Sequence, residues 1–222
     1  SGKTTLLLHL ASELLDRASL DKTLPIPVVF NLSTWEGKRQ PLTEWLIEEL
    51  YTGYQIPPKI GKPWVETGEV LPLLDGLDEV GAEYRAACVG AINAFQEAQE
   101  QLPLVIGCRL AEYTALVTKL VLQQAIIVQP MTLLQIEEYL GEAEGRLQEL
   151  LRDEPAFRNL APNPLMLSIL TRTYQGKPAQ IVRSASSIEE WRQQLFADYV
   201  ESVFQRRGEA TRYSPEQTKE WL

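Results

Sequence analysis

Four short apolar runs, separated by stretches of helical periodicity, constrain the fold more than any other feature of this sequence. They are rich in leucine and β-branched residues and occupy residues 25–32, 70–74, 104–108 and 125–128. Between them, residues 84–102 carry apolar side chains at helical spacing. Strands that are apolar on both faces and alternate with helices are typical of a parallel sheet covered on both sides. The sequence therefore predicts an α/β fold, in which ligands bind at the carboxyl ends of the strands.

The first residues of the chain match half of a phosphate-binding motif. Ser1-Gly2-Lys3-Thr4-Thr5 leads directly into an amphipathic helical pattern, as does the second half of a P-loop, GxxxxGK[ST]. Glycine lets the backbone approach phosphate oxygens, and the helix N-terminus adds positive potential. In this interpretation Lys3 reaches the β- and γ-phosphates, and the Thr4 hydroxyl ligates Mg²⁺. The alternative is an ordinary solvated loop.

An acidic segment follows the second predicted strand. Residues 70–74 run into the sequence DGLDE, and an apolar strand that ends in aspartate downstream of a P-loop is the Walker B arrangement. Mg²⁺ takes one or two carboxylates together with phosphate oxygens, which makes Asp75 the candidate metal ligand. Asp78 or Glu79 is the candidate group that orients or deprotonates a water. The alternative is a strand-ending turn followed by a solvated helix N-cap pair.

Composition excludes several other classes of protein. The chain has 222 residues and a formal net charge of -9, which argues against nucleic acid or an anionic membrane as the main partner. It has one histidine, His9, so a histidine-rich metal site is impossible. Two cysteines are too few for a disulfide framework and are consistent with a reducing cytoplasm. Since neither a membrane-spanning run nor a signal peptide is visible, we expect a cytoplasmic protein.

These motifs, in this order, resemble the NACHT family, which belongs to the STAND class of P-loop NTPases. Residues 73–79 look like its extended Walker B motif, hhhDGhDE, and residues 106–109 are similar to its sensor strand, which ends in an arginine. Residues 163–167 resemble the proline motif of its small helical subdomain. Residues 191–207, and then residues 213–218, resemble the run into a winged helix in bacterial members.

The resemblance implies a three-layer P-loop NTPase core over residues 1–130, which lacks its first strand because the chain begins inside Walker A. It also implies a small helical subdomain over residues 131–207 and the start of a winged helix over residues 208–222. Helix-capping signals at Thr132 and Ser187 independently predict that the last third is helical. Residues 53–68 contain three prolines and are predicted to form a loop or an insertion.

The resemblance further implies that the chain binds ATP or ADP with Mg²⁺. The implied nucleotide-binding residues are Ser1, Gly2, Lys3, Thr4, Thr5 and Pro164. The implied metal ligands are Thr4 and Asp75, and the implied catalytic residues are Asp78, Glu79 and Arg109. In the family the arginine reads the γ-phosphate and the proline packs near the adenine. Read without the family, the alternative for Arg109 is a strand-end ion-pair partner, and Pro164 equally fits the first position of a helix.

The expected function is a switch in signal transduction that binds ATP, hydrolyses it slowly and uses the exchange to control self-association. Proteins of the family usually carry separate sensor and effector domains, which would be fused to this segment. The alternative is a scaffold or interaction module that holds nucleotide without hydrolysing it. A third possibility is a P-loop phosphotransferase with a small acceptor.

Overall fold

The computed structural model describes residues 2–99, 102–141, 145–174 and 187–207, and it shows a mixed α/β protein. Ser1 and the predicted start of the winged helix, residues 208–222, lie outside the described residues. The strands are β1 (Ile26–Asn31), β2 (Val70–Asp75) and β3 (Val105–Ile106). The helices are α1 (Lys3–Leu20), α2 (Leu42–Tyr54), α3 (Pro58–Glu66), α4 (Ala82–Ala98), α5 (Leu110–Ala115), α6 (Leu133–Leu140), α7 (Gly145–Asp153), α8 (Pro155–Leu160), α9 (Pro164–Tyr174) and α10 (Ile188–Arg207).

The chain forms two compact units, of which the first runs from Gly2 to Ile127. Its sheet has the order β1-β2-β3, and both strand pairs are parallel. Asn31 at the end of β1 lies opposite Asp75 at the end of β2. The carboxyl ends of the strands therefore meet at one edge, which is the edge that the sequence predicts for ligand binding.

Neighbouring residues of each strand point to opposite sides of the sheet. Both sides carry apolar side chains, and helices cover both. On one face, Leu73 of β2 packs with Leu7 of α1. On the other, Phe30 and Leu74 join a larger core that includes Trp45 of α2. Each large apolar side chain buried in this way stabilises the fold by about 1.5–3 kcal/mol relative to exposure. The layered arrangement holds the strand ends, and the residues on them, in fixed positions.

The prediction of a fourth strand at residues 125–128 is wrong. The backbone there forms no strand, and the side chains of Ile126, Ile127 and Val128 are exposed, Ile126 by 90%. A strand persists only where its backbone groups find a neighbouring strand, and within the described residues the sheet ends at β3. The prediction rests on the apolar composition of this segment, which does not supply a neighbouring strand for it to pair with.

The prediction of a loop over residues 53–68 is also wrong, since α3 occupies most of this segment. Pro58 is the first residue of this helix, where its missing N–H is not needed. Val65 is buried in the same core as Trp45, and Gly61 packs against Leu50 of α2. Packing against α2 thus stabilises a short helix whose three prolines suggest a loop.

The second unit begins at Val128 and is helical in its described residues. Helices α6 to α10 surround a core that contains Phe157 and Trp191, whose rings meet edge to face with centroids 6.2 Å apart. Thr132 is the N-cap of α6 and forms a complete capping box with Gln135, and Ser187 Oγ accepts the Glu190 N–H at the start of α10. Among the described helices, none combines the length and apolar character needed to cross a membrane.

Candidate functional site

The site is built on the turn that ends β2. All residues from Val70 to Leu74 are buried, and Asp75 is the first residue of the strand that reaches the surface. Gly76 follows with φ 78°, a left-handed conformation that glycine adopts without strain. Leu77 is fully buried, and its N–H donates to the Gly107 carbonyl at 3.1 Å. The turn is thereby fixed, with the Asp75 carboxylate at the carboxyl edge of the sheet.

The start of α1 lies beside this carboxylate. Thr4 Oγ1 donates a hydrogen bond to Asp75 Oδ2 at 2.7 Å, although the two residues are 71 positions apart in the sequence. Gly2 precedes the helix with φ 70°, and its carbonyl accepts the Leu6 N–H. The first N–H groups of α1 and a hydroxyl–carboxylate pair therefore occupy the same region, which suits an anion together with a hard cation.

Asp78 is the most heavily engaged of the predicted catalytic acids. Its Oδ2 pairs with Arg109 Nε at 2.9 Å, and its Oδ1 accepts the Arg109 backbone N–H at 2.8 Å. Lys3 Nζ lies 4.0 Å from the same Oδ1. The Asp78 side chain is only 6% exposed, whereas the Arg109 side chain is 70% exposed. One buried carboxylate thus gathers the two cations that the sequence assigns to phosphate.

Gly107 contributes a close approach that the sequence does not reveal. A Cβ on this residue would stand 2.7 Å from Asp75 Oδ1, closer than real Cβ contacts allow. The Gly107 N–H also donates to the Leu74 carbonyl at 2.7 Å, which continues the pairing of β2 with the chain after β3. A glycine is therefore needed here so that the Asp75 carboxylate can lie against the backbone.

Two further residues shape this edge without having been predicted. Glu36 Oε2 accepts the Gly81 N–H at 2.9 Å and so caps the start of α4. Arg85, in the first turn of α4, donates to the backbone carbonyl of Asp78. The only hint of either in the sequence is the unusual position of Arg85, because a cation in the first turn opposes the helix dipole.

Other predicted site residues are not joined to this cluster. Among the described contacts, neither Thr5 nor Glu79 has a hydrogen bond or ion pair with any of the cluster residues. Glu79 is exposed, and its carboxylate folds back toward Gly76, where it lies 2.9 Å from the point that a Cβ on that residue would occupy. Ser1 lies outside the described residues.

Pro164 belongs to the second unit, where it is the first residue of α9. The Asn163 side chain caps this helix by accepting the Leu165 N–H at 3.0 Å. Pro164 also lines an open cavity of about 310 Å³. The other lining residues are Val128, Gln129, Pro130, Asn159, Pro162 and Asn163. The residue therefore both begins a helix and borders a space of ligand size.

The thiol of Cys108 lies next to Arg109 and is half-buried. Burial raises its pKa above the ordinary value, and the negative charge of Asp78 raises it further. The thiol is consequently protonated at neutral pH, so it is a poor nucleophile there. We assign it no part in the chemistry of the site.

The residues at the sheet edge fit a nucleotide with Mg²⁺. The described residues contain no group of three or more His, Cys, Asp or Glu side chains arranged to hold a metal by themselves. Mg²⁺ commonly binds through one or two protein oxygens and completes its coordination with phosphate and water, which matches the Thr4–Asp75 pair. Lys3 supplies a positive charge at the same edge, 4.0 Å from Asp78 Oδ1. Comparison of the chain with protein-family models, with curated proteins and with solved structures finds no match.

Proposed function

We propose that this chain is the nucleotide-binding part of a NACHT-type P-loop ATPase that acts as a signalling switch. The observation that carries the proposal is the 2.7 Å hydrogen bond between Thr4 Oγ1 and Asp75 Oδ2. In P-loop NTPases a hydroxyl after the P-loop lysine and a Walker B aspartate hold the metal together. The convergence of these two residue types, from segments far apart in the sequence, is what that chemistry requires.

The proposed fold is a P-loop NTPase core over residues 1–130, followed by a helical subdomain and a winged helix. Its support is the parallel sheet with helices on both faces and with the candidate residues at its carboxyl edge. The helical second unit agrees with the proposed subdomain over residues 131–207.

The phosphate groups would be bound by Lys3 and by the first N–H groups of α1. Thr4 and Asp75 would hold Mg²⁺, which neutralises charge on the phosphates when bound. Catalysis of this kind consists mostly of positioning and charge stabilisation, so the protein needs few groups that react covalently.

The contacts suggest different roles for the two acids after the turn. Both Asp78 oxygens accept from Arg109, so Asp78 is better suited to position that arginine than to activate a water. The described contacts of the guanidinium involve Nε, which leaves the two terminal nitrogens to bind a γ-phosphate. Glu79 is exposed and then remains the candidate for orienting the water.

We assign Pro164 to the adenine ring on the family resemblance alone. Self-association, fused sensor and effector domains, and a cytoplasmic location are further parts of the proposal that rest on the family resemblance.

A non-hydrolysing scaffold is the second candidate function. It is favoured by the Glu79 carboxylate, which lies against Gly76 of its own turn and has no described hydrogen bond with Thr4 or Asp75. A protein of this kind would retain ADP tightly as a structural ligand and would present its surface to partners. Phosphate release by the intact protein separates the two functions, since Glu79→Gln would abolish turnover in the enzyme and change nothing in the scaffold.

The nucleotide site itself is tested by Lys3→Ala in the intact protein. We expect this variant to lose binding of a fluorescent ATP analogue, because the ammonium group is the proposed phosphate contact. Lys22→Ala is the matched control, since it removes the same charge from an exposed turn beyond the C-terminal end of α1. Equal ATP affinity in wild type and Lys3→Ala would refute the proposed function.

A further inference from the structure

Arg85 occupies a position that helix electrostatics disfavour. It lies in the first turn of α4 (Ala82–Ala98), where the N–H groups carry partial positive charge and acidic side chains are preferred. Its side chain is only 11% exposed, although the guanidinium carries a full positive charge. A cation buried in this position needs acceptors close by, and their identity indicates what the residue does.

The guanidinium turns back onto the segment from Gly76 to Val80, here called the acid loop because it carries Asp78 and Glu79. Its Nη2 donates to the backbone carbonyls of Asp78, at 2.9 Å, and Val80, at 3.0 Å. Its Nη1 pairs with Glu112 Oε2 of α5 (Leu110–Ala115) at 2.6 Å. Arg85 therefore links the main chain of the acid loop to the helix that begins directly after Arg109.

A second link connects the same two segments. The Asp78 carboxylate accepts from both the side chain and the backbone of Arg109, as described above. The acid loop is thus held to the chain after β3 by Asp78 on one side and by Arg85 on the other. A shift of either segment has to disturb both links.

We propose that Arg85 is a positioning residue that fixes Arg109 relative to the bound phosphates and thereby sets the discrimination between nucleoside triphosphate and diphosphate. This inference rests on the proposed function. Arg109 is the residue proposed to meet the γ-phosphate, which only the triphosphate carries. Thr4, which would hold the metal ion that accompanies both nucleotides, has no described contact with Arg85.

The two partners of Arg85 differ in how well they tolerate its removal. The Glu112 side chain is 45% exposed and can return to water. The Asp78 and Val80 carbonyls lose their donor next to a buried carboxylate, so the acid loop rearranges. We therefore expect a larger effect from Arg85→Ala than from Glu112→Gln, which leaves the two carbonyl contacts in place.

The experiment measures ATP and ADP dissociation constants for variants of the intact protein by competition with a fluorescent nucleotide. Arg85→Ala is expected to lower the ratio of ATP to ADP affinity about tenfold, by misplacing Arg109, while ADP affinity stays close to wild type. Arg85→Lys keeps the charge but not the fork of donors, so it should recover only part of the ratio.

Asn93→Ala is the matched control on the same helix. Asn93 also binds backbone groups of another segment, at Lys119 and Val121, but has no described contact with the acid loop. Equal ratios in Arg85→Ala and Asn93→Ala, with wild type binding both nucleotides, would overturn the role of Arg85 alone. If Arg85→Ala does not fold, an unchanged ratio in both Arg85→Lys and Glu112→Gln overturns it equally. A wild-type protein that binds no nucleotide would overturn the proposed function and this inference with it.

Discussion

Gly107→Ala separates the stability of the fold from the quality of the metal site. The new Cβ would stand 2.7 Å from Asp75 Oδ1 and 3.7 Å from Asp75 Cα, so the carboxylate has to rotate away. Rotation breaks the hydrogen bond from Thr4, which contributes about 1 kcal/mol because it is charge-assisted but partly exposed to water. Replacing glycine also removes conformational freedom from the unfolded chain, which raises the free energy of unfolding by about 0.4–1 kcal/mol.

These two terms nearly cancel, so the free energy of unfolding should change little. The metal site should respond much more strongly, because Asp75 is the proposed Mg²⁺ ligand and its oxygen no longer fits beside the backbone. A displacement on the order of 1 Å of a reacting or binding group lowers the rate or affinity that depends on it by up to about a hundredfold. We therefore expect at least a tenfold loss of Mg²⁺-dependent ATP affinity.

The assay titrates Mg²⁺ against a fluorescent ATP analogue and follows anisotropy, alongside urea unfolding of the same variants. Gly90→Ala is the control, since Gly90 lies inside α4 with nothing within 4 Å of its Cβ position. The control should be stabilised by about 0.5–1 kcal/mol and should keep the wild-type Mg²⁺ dependence. Identical Mg²⁺ dependence in the two variants would show that Asp75 does not hold the metal.

Two further predictions concern the helical unit and the thiol beside the site. Thr132→Ala removes the capping box of α6 and should lower the free energy of unfolding by about 1 kcal/mol in urea titrations, whereas an unchanged value would show that the cap is not stabilising. Cys108 should react with a thiol reagent slowly at neutral pH and faster as the pH rises, with an apparent pKa above that of free cysteine. Cys88, whose pKa burial raises to about 12, should stay unreactive in the folded protein. An apparent pKa at or below the ordinary value for Cys108 would contradict this account of its surroundings.

The sequence predicts the centre of the sheet well because the strands there are apolar on both faces. β1 and β2 are found where the apolar runs lie, and β2 ends at Asp75 as expected. β3 covers only Val105–Ile106 of the predicted run, and the run at residues 125–128 forms no strand. Strand formation depends on a pairing partner, which hydrophobic patterning within one segment cannot supply.

The site is predictable in outline but not in its contacts. The order of motifs along an α/β chain predicts that Thr4 and Asp75 approach each other, and they do so through a hydrogen bond. The pairing of Arg109 with Asp78 could not be derived, because an arginine at a strand end is compatible both with an ion pair and with phosphate sensing. The roles of Gly107 and Arg85 could not be predicted, because each acts through the backbone. Gly107 lets the Asp75 carboxylate approach the main chain, and Arg85 donates to main-chain carbonyls.

The position of Asp78 suggests how binding at this edge could reach the rest of the protein. Its nearly buried carboxylate holds Arg109 closely and lies 4.0 Å from Lys3. A phosphate that draws either cation toward itself weakens an interaction of Asp78, and the charge left behind in a poorly solvated position has to find new partners. The backbone of Asp78 is tied through Arg85 to α4 and α5, so that adjustment shifts two helices rather than one side chain. Under the proposed function a triphosphate would reach Arg109 whereas a diphosphate would not, and this difference in contacts is the condition for one nucleotide to favour a second conformation.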